Sequence, residues 1–467
     1  MWWPSDHPGR DRTRNVQAVI PVITPEQMRS IDAAAADPAD VLIERAGAAV
    51  ARSALRLLGG AYGRSVAVIA GPGNNGADGR VAAERLRLRG LKVVVHDATV
   101  CPTELFGFDL VIDAAFGTGF RGIWQAPSVG DAKVLAVDVP SGLDALTGVV
   151  ADGTLAADVT VTFAAAKPGH VLGGGPDVIG LLEVADIGLD IGEPSVTIVD
   201  RSDIERWVSV RPRTAHKWRD AVRVIAGSPG MKGAAYLAAA AAQRTGAGMV
   251  VLSSPGIDAV GPIEAVDRHL PAFDWADAAL ADLHRFHALV IGPGLGREEH
   301  TVPSVVRTVF ESVVPVVVDG DGLFAMSWND EGTPAFLSER KVPTILTPHD
   351  GEFALLTGSR PGSDRVAAAE RLAESCGCVV LLKGPTTVVA APGAPTRLVV
   401  NGDQRLATAG TGDVLAGIIG ALLAKRVGAA EAAAAGAWIH AESATVAGNA
   451  GLVASDLISA IPAVLER

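Results

Sequence analysis

The sequence predicts an α/β protein of two domains, each built on a sheet of mostly parallel strands with glycine loops at its carboxyl edge. Three observations carry that expectation. The 467 residues leave room for two α/β domains of about 200 to 250 residues. Short β-rich runs alternate with helical stretches in both halves, the rhythm of βαβ units. The apolar fraction of 49% comes mainly from alanine, and aromatic residues make up only 4%, a soluble Ala/Gly-rich α/β composition.

Charge and patterning narrow the function classes. A formal net charge of -12 argues against sequence-independent nucleic-acid binding, which needs clustered Lys and Arg to displace counterions. Anionic small molecules held by backbone N–H groups stay compatible with it. The most hydrophobic stretches, Val414 to Ala424 and Ala234 to Ala242, fall short of the roughly 20 residues that cross a bilayer, so no membrane span is expected. Residues 1–21 read as a loose extension with mixed charges rather than a secretion signal, and cytoplasm is the default location. Cys101, Cys376 and Cys378 match neither a zinc site nor a disulfide framework. The sequence leaves homo-oligomerisation open.

The first organised segment is Thr24 to Leu58. Thr24-Pro25-Glu26-Gln27 is a helix start of cap, early proline and acid, and Val41 to Leu58 has helical spacing. Ser65 to Ala70 is a strand that runs into Gly71-Pro72-Gly73-Asn74-Asn75-Gly76-Ala77-Asp78-Gly79, followed by a helix from Arg80 to Arg89 and a strand at Lys92 to Val95. Strands at Asp109 to Ala114 and Lys133 to Val137 end near Asp113 and Asp138. A parallel sheet aligns its carboxyl ends, so Asn75, Asp78, Asp113 and Asp138 are expected in one crevice. Each alone reads equally as a cap or turn residue; together they suggest a polar ligand and a hard cation. Gly117-Thr118-Gly119-Phe120-Arg121-Gly122-Ile123 is a second glycine loop, and Pro140-Ser141-Gly142 turns the chain after Asp138.

On GPGNNGADG, the run from Asp113 to Gly122, VDVPSGLD from Val137 to Asp144, and Lys167-Pro168-Gly169, residues 22 to 200 resemble the N-terminal domain of NAD(P)H-hydrate epimerases. The resemblance implies a Rossmann-like three-layer α/β sandwich. It also implies that Asn74, Asn75, Gly76, Ala77 and Asp78, the loop Gly117, Thr118, Gly119, Phe120, Arg121, Gly122 and Ile123, and Asp138 bind the damaged dinucleotide. A potassium ion is implied beside Asn75, Asp113 and Ser141, with Asp138 as the catalytic carboxylate. That family usually has two glycines where this chain has Gly76-Ala77.

The rhythm loosens between Asp190 and Arg213, which places a boundary near residue 205 and domains over 22–205 and 206–467. Strands then recur at Val222 to Ala226, Met249 to Ser253, Ala288 to Ile291, Val314 to Val318, Thr344 to Leu346 and Val379 to Leu382. An alanine-rich helix ends near Thr245. His349, after a strand and proline and three residues before Glu352, is either a surface histidine or a site residue. Lys383 is either solvated or part of a phosphate or adenine pocket. Thr408-Ala409-Gly410-Thr411-Gly412-Asp413 precedes an apolar run from Val414 and reads as an anion site at a helix N-terminus. There Asp413 either caps the helix or activates a hydroxyl beside a bound phosphate.

GSPGMKGA, GPGLG, TPHDGE, KGPTTVV and AGTGD occur in that order over residues 206 to 467 and together resemble the ADP-dependent NAD(P)H-hydrate dehydratase family, which has a ribokinase-like fold. The resemblance implies a nucleotide near Lys383, Gly384, Pro385, Thr386, Thr387 and Gly412. Ala234, Gly294, Gly296, His349 and Asp413 are then expected to contact the hydrated dinucleotide, and magnesium to accompany ADP. The two resemblances together imply repair of hydrated NADH and NADPH (NADHX and NADPHX): one domain interconverts the R and S forms and the other dehydrates the S form. Two competitors fit parts of the pattern. A ribokinase-like small-molecule kinase would also use the GTGD segment, and mRNA-decapping scaffolds have domains like the N-terminal half.

Overall fold

In the computed structural model, which describes residues 20–119, 124–327, 334–448 and 450–466, the chain forms two compact units that divide between Val196 and Thr197. The helix Arg201–Trp207 explains why the second unit begins there. Asp200 caps it by accepting from Asp203 N at 3.2 Å, and Ile204 enters the core of the second unit.

The first unit contains β1 (Ile20–Val22), β2 (Ser65–Ala70), β3 (Lys92–Asp97), β4 (Leu110–Ala114), β5 (Lys133–Val137), β6 (Val159–Phe163) and β7 (Leu181–Ala185). Part of the expected loose extension is therefore tied down: Ile23 N donates to Ala166 O at 2.9 Å and Ala166 N to Pro21 O at 3.2 Å. Residues 1–19 lie outside the described residues. Strands β2 to β7 form a parallel sheet in the order β3-β2-β4-β5-β6-β7. Both faces of β2 are buried. Val66, Val68 and Ala70 pack with the helices Ala39–Leu58 and Asn74–Leu88, while Ala67 and Ile69 pack under Leu105, Ala115 and Trp124. The chain turns to opposite sides of β2 when it forms β3 and β4, so the sheet opens at its carboxyl edge between β2 and β4, the usual ligand position.

The predicted start of the third helix needs correction. Helix Asn74–Leu88 begins six residues before the expected Arg80, inside the glycine segment. Close packing overrides the low helix propensity of glycine here. A Cβ at Gly76 would sit 1.9 Å from Gly71 O, and one at Gly79 would sit 2.5 Å from Ala114 Cβ. Ala77 lies within this helix and is not among the left-handed residues, so its methyl group fits without backbone strain.

The second unit contains β8 (Val196–Ile198), β9 (Ala221–Ile225), β10 (Met249–Ser253), β11 (Val266–Asp267), β12 (Ala288–Ile291), β13 (Val316–Val318), β14 (Thr344–Leu346), β15 (Val379–Leu382), β16 (Thr387–Ala390) and β17 (Thr396–Val399). Their order is β8-β17-β16-β15-β14-β13-β12-β9-β10-β11, parallel from β15 to β11 and antiparallel through β15, β16 and β17. The apolar run predicted after Asp413 is the buried helix Thr411–Ala424. Small residues let it approach its neighbours. A Cβ at Gly417 would lie 2.2 Å from Ala238 O, and one at Gly420 would lie 2.3 Å from Val290 Cγ2. No described helix is long and apolar enough to cross a membrane, and all three cysteines are free.

Gly417→Ala is expected to lower the stability of the second unit by about 1–3 kcal/mol, because the added methyl meets backbone that must move. Calorimetry should show a lower unfolding temperature for that unit; an unchanged one would contradict the close-packing explanation.

Candidate functional site

The first unit has a cavity of about 660 Å³ at the carboxyl edge of its sheet, with Asn74, Asn75, Asp78, Gly117, Thr118, Gly119 and Asp138 in its wall. The predicted gathering of strand-end polar residues is thus largely met. Gly76 and Ala77 are in the adjoining helical turn, and Phe120, Arg121, Gly122 and Ile123 lie outside the described residues. Asp113 differs from the expectation. It is 1% exposed and absent from the cavity wall, with Ser141 N donating to its Oδ2 at 2.8 Å and Ser141 Oγ to its Oδ1 at 2.6 Å. Burial pushes its carboxyl pKa up against those hydrogen bonds. Both polar atoms of the Asn75 side chain are buried without a hydrogen-bond partner.

Asp138 follows β5 in a left-handed conformation, φ 64°, which aspartate adopts more readily than most residues. Lys167, itself 1% exposed, places Nζ 2.8 Å from Asp138 Oδ1, and Thr162 Oγ1 donates to the same oxygen at 2.9 Å. Burial alone would raise the Asp138 pKa, but the lysine charge and hydrogen bond outweigh it and hold the carboxyl below its usual range. His170 fixes the backbone. Its Nδ1 accepts from Lys167 N at 3.1 Å, so its Nε2 is the nitrogen that donates to Asp138 O at 2.9 Å. Burial, reinforced by Lys167, pulls His170 down to about 4 and keeps it neutral. Asp78 is the opposite case: burial pushes its carboxyl up to about 8, and Asp138 and Asp32 push the same way.

In the second unit Gly410 is the N-cap of helix Thr411–Ala424, with φ 87°. Asp413 is therefore in the first turn rather than at the cap, and among the described residues none donates a hydrogen bond to its carboxyl. That disfavours the capping reading. Burial pushes Asp413 up to about 7, with Asp319 adding to the shift and Lys383 opposing it. Lys383 is paired rather than free, its side chain 22% exposed. Its Nζ donates to Asp319 Oδ1 at 2.6 Å and lies 3.8 Å from Glu352 Oε2. A Cβ on Gly412 would be 3.4 Å from the same Nζ and 3.7 Å from Asp319 Oδ2, so Gly412 lies directly against this ion pair. Burial would lower the Lys383 pKa, but Asp319 and Glu352 raise it overall.

His349 caps helix Asp350–Thr357: its Nδ1 accepts from Gly351 N at 2.9 Å and Glu352 N at 3.2 Å. That leaves Nε2 as the protonated ring nitrogen, 3.6 Å from Glu352 Oε2. Ala234 and Gly294 are neighbours, since a Cβ on Gly294 would be 2.8 Å from Ala234 Cβ. Gly296 N donates to Asp321 Oδ2 at 2.9 Å. Gly384 lies beneath Arg365, and Pro385 O is 3.2 Å from a Cβ built on Gly402; Thr386 leads into β16, which Thr387 begins.

Sequence reasoning assigned no role to Lys167, His170, Asp32, Asp319 or Glu352. The signal for Asp319 was present, because it ends β13 just as Asp138 ends β5. Lys167 stood out only as part of the Lys167-Pro168-Gly169 motif and Asp32 not at all, since only the fold brings them to Asp138.

Comparison with known proteins fits this geometry. A family model described as NAD(P)H-hydrate dehydratase matches residues 222–463. A model described as YjeF-related protein N-terminus matches residues 39–107 and 97–169. The chain is 36% identical over 440 residues to the bifunctional NAD(P)H-hydrate repair enzyme Nnr of Mycobacterium leprae, covering 88% of this chain and 90% of that one. It is 33% identical over 520 residues to the Moorella thermoacetica protein of the same name, covering 96% and 97%. Among solved structures, a ribokinase-like superfamily protein from Enterococcus faecalis aligns with TM-score 0.50 and 19% identity over 59% of this chain and 98% of that one, a likeness of fold.

Lys167→Met leaves the Asp138 carboxylate without its counter-charge, which costs about 3–5 kcal/mol for a buried pair. The Asp138 pKa is depressed in the folded state, so its contribution is present above the unfolded carboxylate pKa and is lost as pH falls through the folded value. Urea unfolding of the first unit should therefore show a gap between wild type and variant that is full at neutral pH and narrows in acid. A gap independent of pH would contradict the ion-pair explanation.

Proposed function

The chain belongs to the bifunctional NAD(P)H-hydrate repair enzyme family, and from that premise we propose that the first unit interconverts the R and S hydrates while the second dehydrates the S form at the expense of ADP. The observation that carries this reading is the placement of Asp413. It is in the first turn of a glycine-capped helix, beside Lys383, and is poised by burial near neutral pH. A carboxylate there suits proton removal from a hydroxyl next to a phosphate-binding N-terminus.

The hydrated ring carries a hydroxyl, and hydroxide leaves poorly. Asp413 takes the hydroxyl proton as the oxygen attacks the β-phosphorus of ADP. AMP departs, and backbone N–H groups from Gly410 to Gly412 stabilise the developing charge. Loss of phosphate from the ring carbon, with loss of a proton from its neighbour, restores the double bond and yields NAD(P)H. Ala234, Gly294, Gly296 and His349 line the dinucleotide side, and Lys383 to Thr387 with Gly412 the nucleotide side. Among the described residues no three His, Cys, Asp or Glu side chains converge on a metal position. Magnesium, which binds through one or two carboxylates and substrate phosphates, would be held there by Asp319, which pairs with Lys383 and lies against Gly412.

In the first unit, Asn74 to Asp78, Gly117 to Ile123 and Asp138 are the proposed dinucleotide contacts, with Asp138 taking a proton. The orphaned Asn75 amide and the buried Asp113 carboxyl, which has no cationic partner among the described residues, fit a potassium ion bound with Ser141. Such an ion would supply positive charge beneath the cavity.

Asp413→Ala should abolish ADP-dependent recovery of NAD(P)H while epimerisation continues; near-normal recovery would remove Asp413 from its role. A stable phosphorylated product without NAD(P)H would instead favour a small-molecule kinase. For the wild type, kcat/KM for dehydration should rise as pH increases through about 7, because Asp413 must lose its proton. A rate flat from pH 6 to about 8 would contradict that assignment. Asp138→Ala should leave repair of the S form intact and stop consumption of the R form, which an unchanged R-form rate would refute.

A further inference from the structure

Resting on the reading of the first unit as the epimerising one, we propose that Asp78 is the proton donor opposite Asp138: Asp78 gives a proton to the hydrated ring and Asp138 takes one. Both side chains line the same cavity, but their counter-charges differ. Asp138 has the Lys167 ammonium at 2.8 Å and the Thr162 hydroxyl at 2.9 Å. Asp78, only 6% exposed, has neither a salt bridge nor a hydrogen bond to its carboxyl among the described residues.

The charged groups around Asp78 all favour its neutral form or are engaged elsewhere. Asp138 from the end of β5 and Asp32 from helix Pro25–Ala33 are both carboxylates that raise its pKa. Lys167 is committed to Asp138. On the helix packed alongside, Glu44 pairs with Arg85 and Arg45 with Asp37; on its own helix, Arg80 donates to Gly71 O at 2.9 Å. An aspartate placed only to stabilise a helix N-terminus belongs in the first turn as an anion. Asp78 is the fifth residue of its helix and is held near a pKa of about 8 by burial and those two carboxylates. Two carboxyls pushed apart in pKa within one cavity are the usual pattern of an acid paired with a base.

Inversion at the hydroxyl-bearing carbon beside the ring nitrogen needs both groups by either route. If the C–O bond breaks, the Asp78 proton goes to the departing oxygen to form water, and the nitrogen lone pair forms C=N. Water then adds to the other face and Asp138 takes its proton, which returns to Asp78 through solvent. If the C–N bond breaks, Asp138 takes the hydroxyl proton as C=O forms. The C–N electron pair moves to nitrogen, which receives the Asp78 proton, and reclosure after rotation reverses both transfers.

The test uses the full chain without ADP, following conversion of R hydrate to S by chiral chromatography. Wild-type kcat/KM should fall above about pH 8, as Asp78 ionises. Asp78→Asn should lower kcat by roughly 10²- to 10⁴-fold and remove the alkaline fall, whereas Asp78→Glu should recover part of the rate and retain it. The urea unfolding transition of the first unit, measured on the same preparations, reports that the unit carrying Asp78 is folded. An Asn variant that epimerises within about threefold of wild type, or keeps the alkaline fall, overturns the assignment alone. A wild-type chain that leaves the R form untouched overturns the reading of the unit and the assignment with it.

Discussion

A charge buried at the edge of a parallel sheet must be paired or neutralised, and both units meet that demand in the same way. In each, one lysine is locked to one strand-end aspartate: Lys167 to Asp138 at 2.8 Å, and Lys383 to Asp319 at 2.6 Å. In each, a second aspartate on the nearby helix has no lysine of its own, so that Asp78 is raised to about 8 and Asp413 to about 7. The ion pair consumes the local positive charge, and the second carboxyl is left close to the pH at which proton transfer is most effective.

The packing around each pair holds those charges in place. Glycines allow strand, loop and helix to approach within distances that a methyl group would block, as at Gly76 against Gly71 O and Gly417 against Ala238 O. The alanine-rich composition serves the same end. Helices Lys232–Arg244 and Thr411–Ala424 are lined with small residues, so the second approaches the first closely and its N-terminus is fixed beside Lys383. A mobile N-terminus could not hold Asp413 in a fixed relation to a bound phosphate.

The strands and most helices were legible because their signals are local: β-rich runs, caps and glycine punctuation. Thr24 caps the helix whose start was expected there, and Gln27 completes a capping box with it. The segment from Asn74 to Gly79 misled because its glycines read as a loop, whereas tertiary contact makes them helical. Strand ends located Asp138 and Asp113, but not that Asp113 points away from the cavity into Ser141. Lys167 and Asp32 could not be assigned from local pattern, since their relation to Asp138 exists only after the chain has folded. The same holds for Lys383, whose partners Asp319 and Glu352 come from the end of β13 and the first turn of helix Asp350–Thr357.

The most direct measurement is a crystal structure of the chain soaked with ADP and the S form of the hydrated coenzyme. The Asp413 carboxylate is expected within hydrogen-bond reach, about 2.6–3.2 Å, of the ring hydroxyl, with the β-phosphate against the N–H groups of Gly410 to Gly412. A hydroxyl bound far from Asp413, or a nucleotide seated away from Gly412, would contradict the proposed chemistry of the second unit.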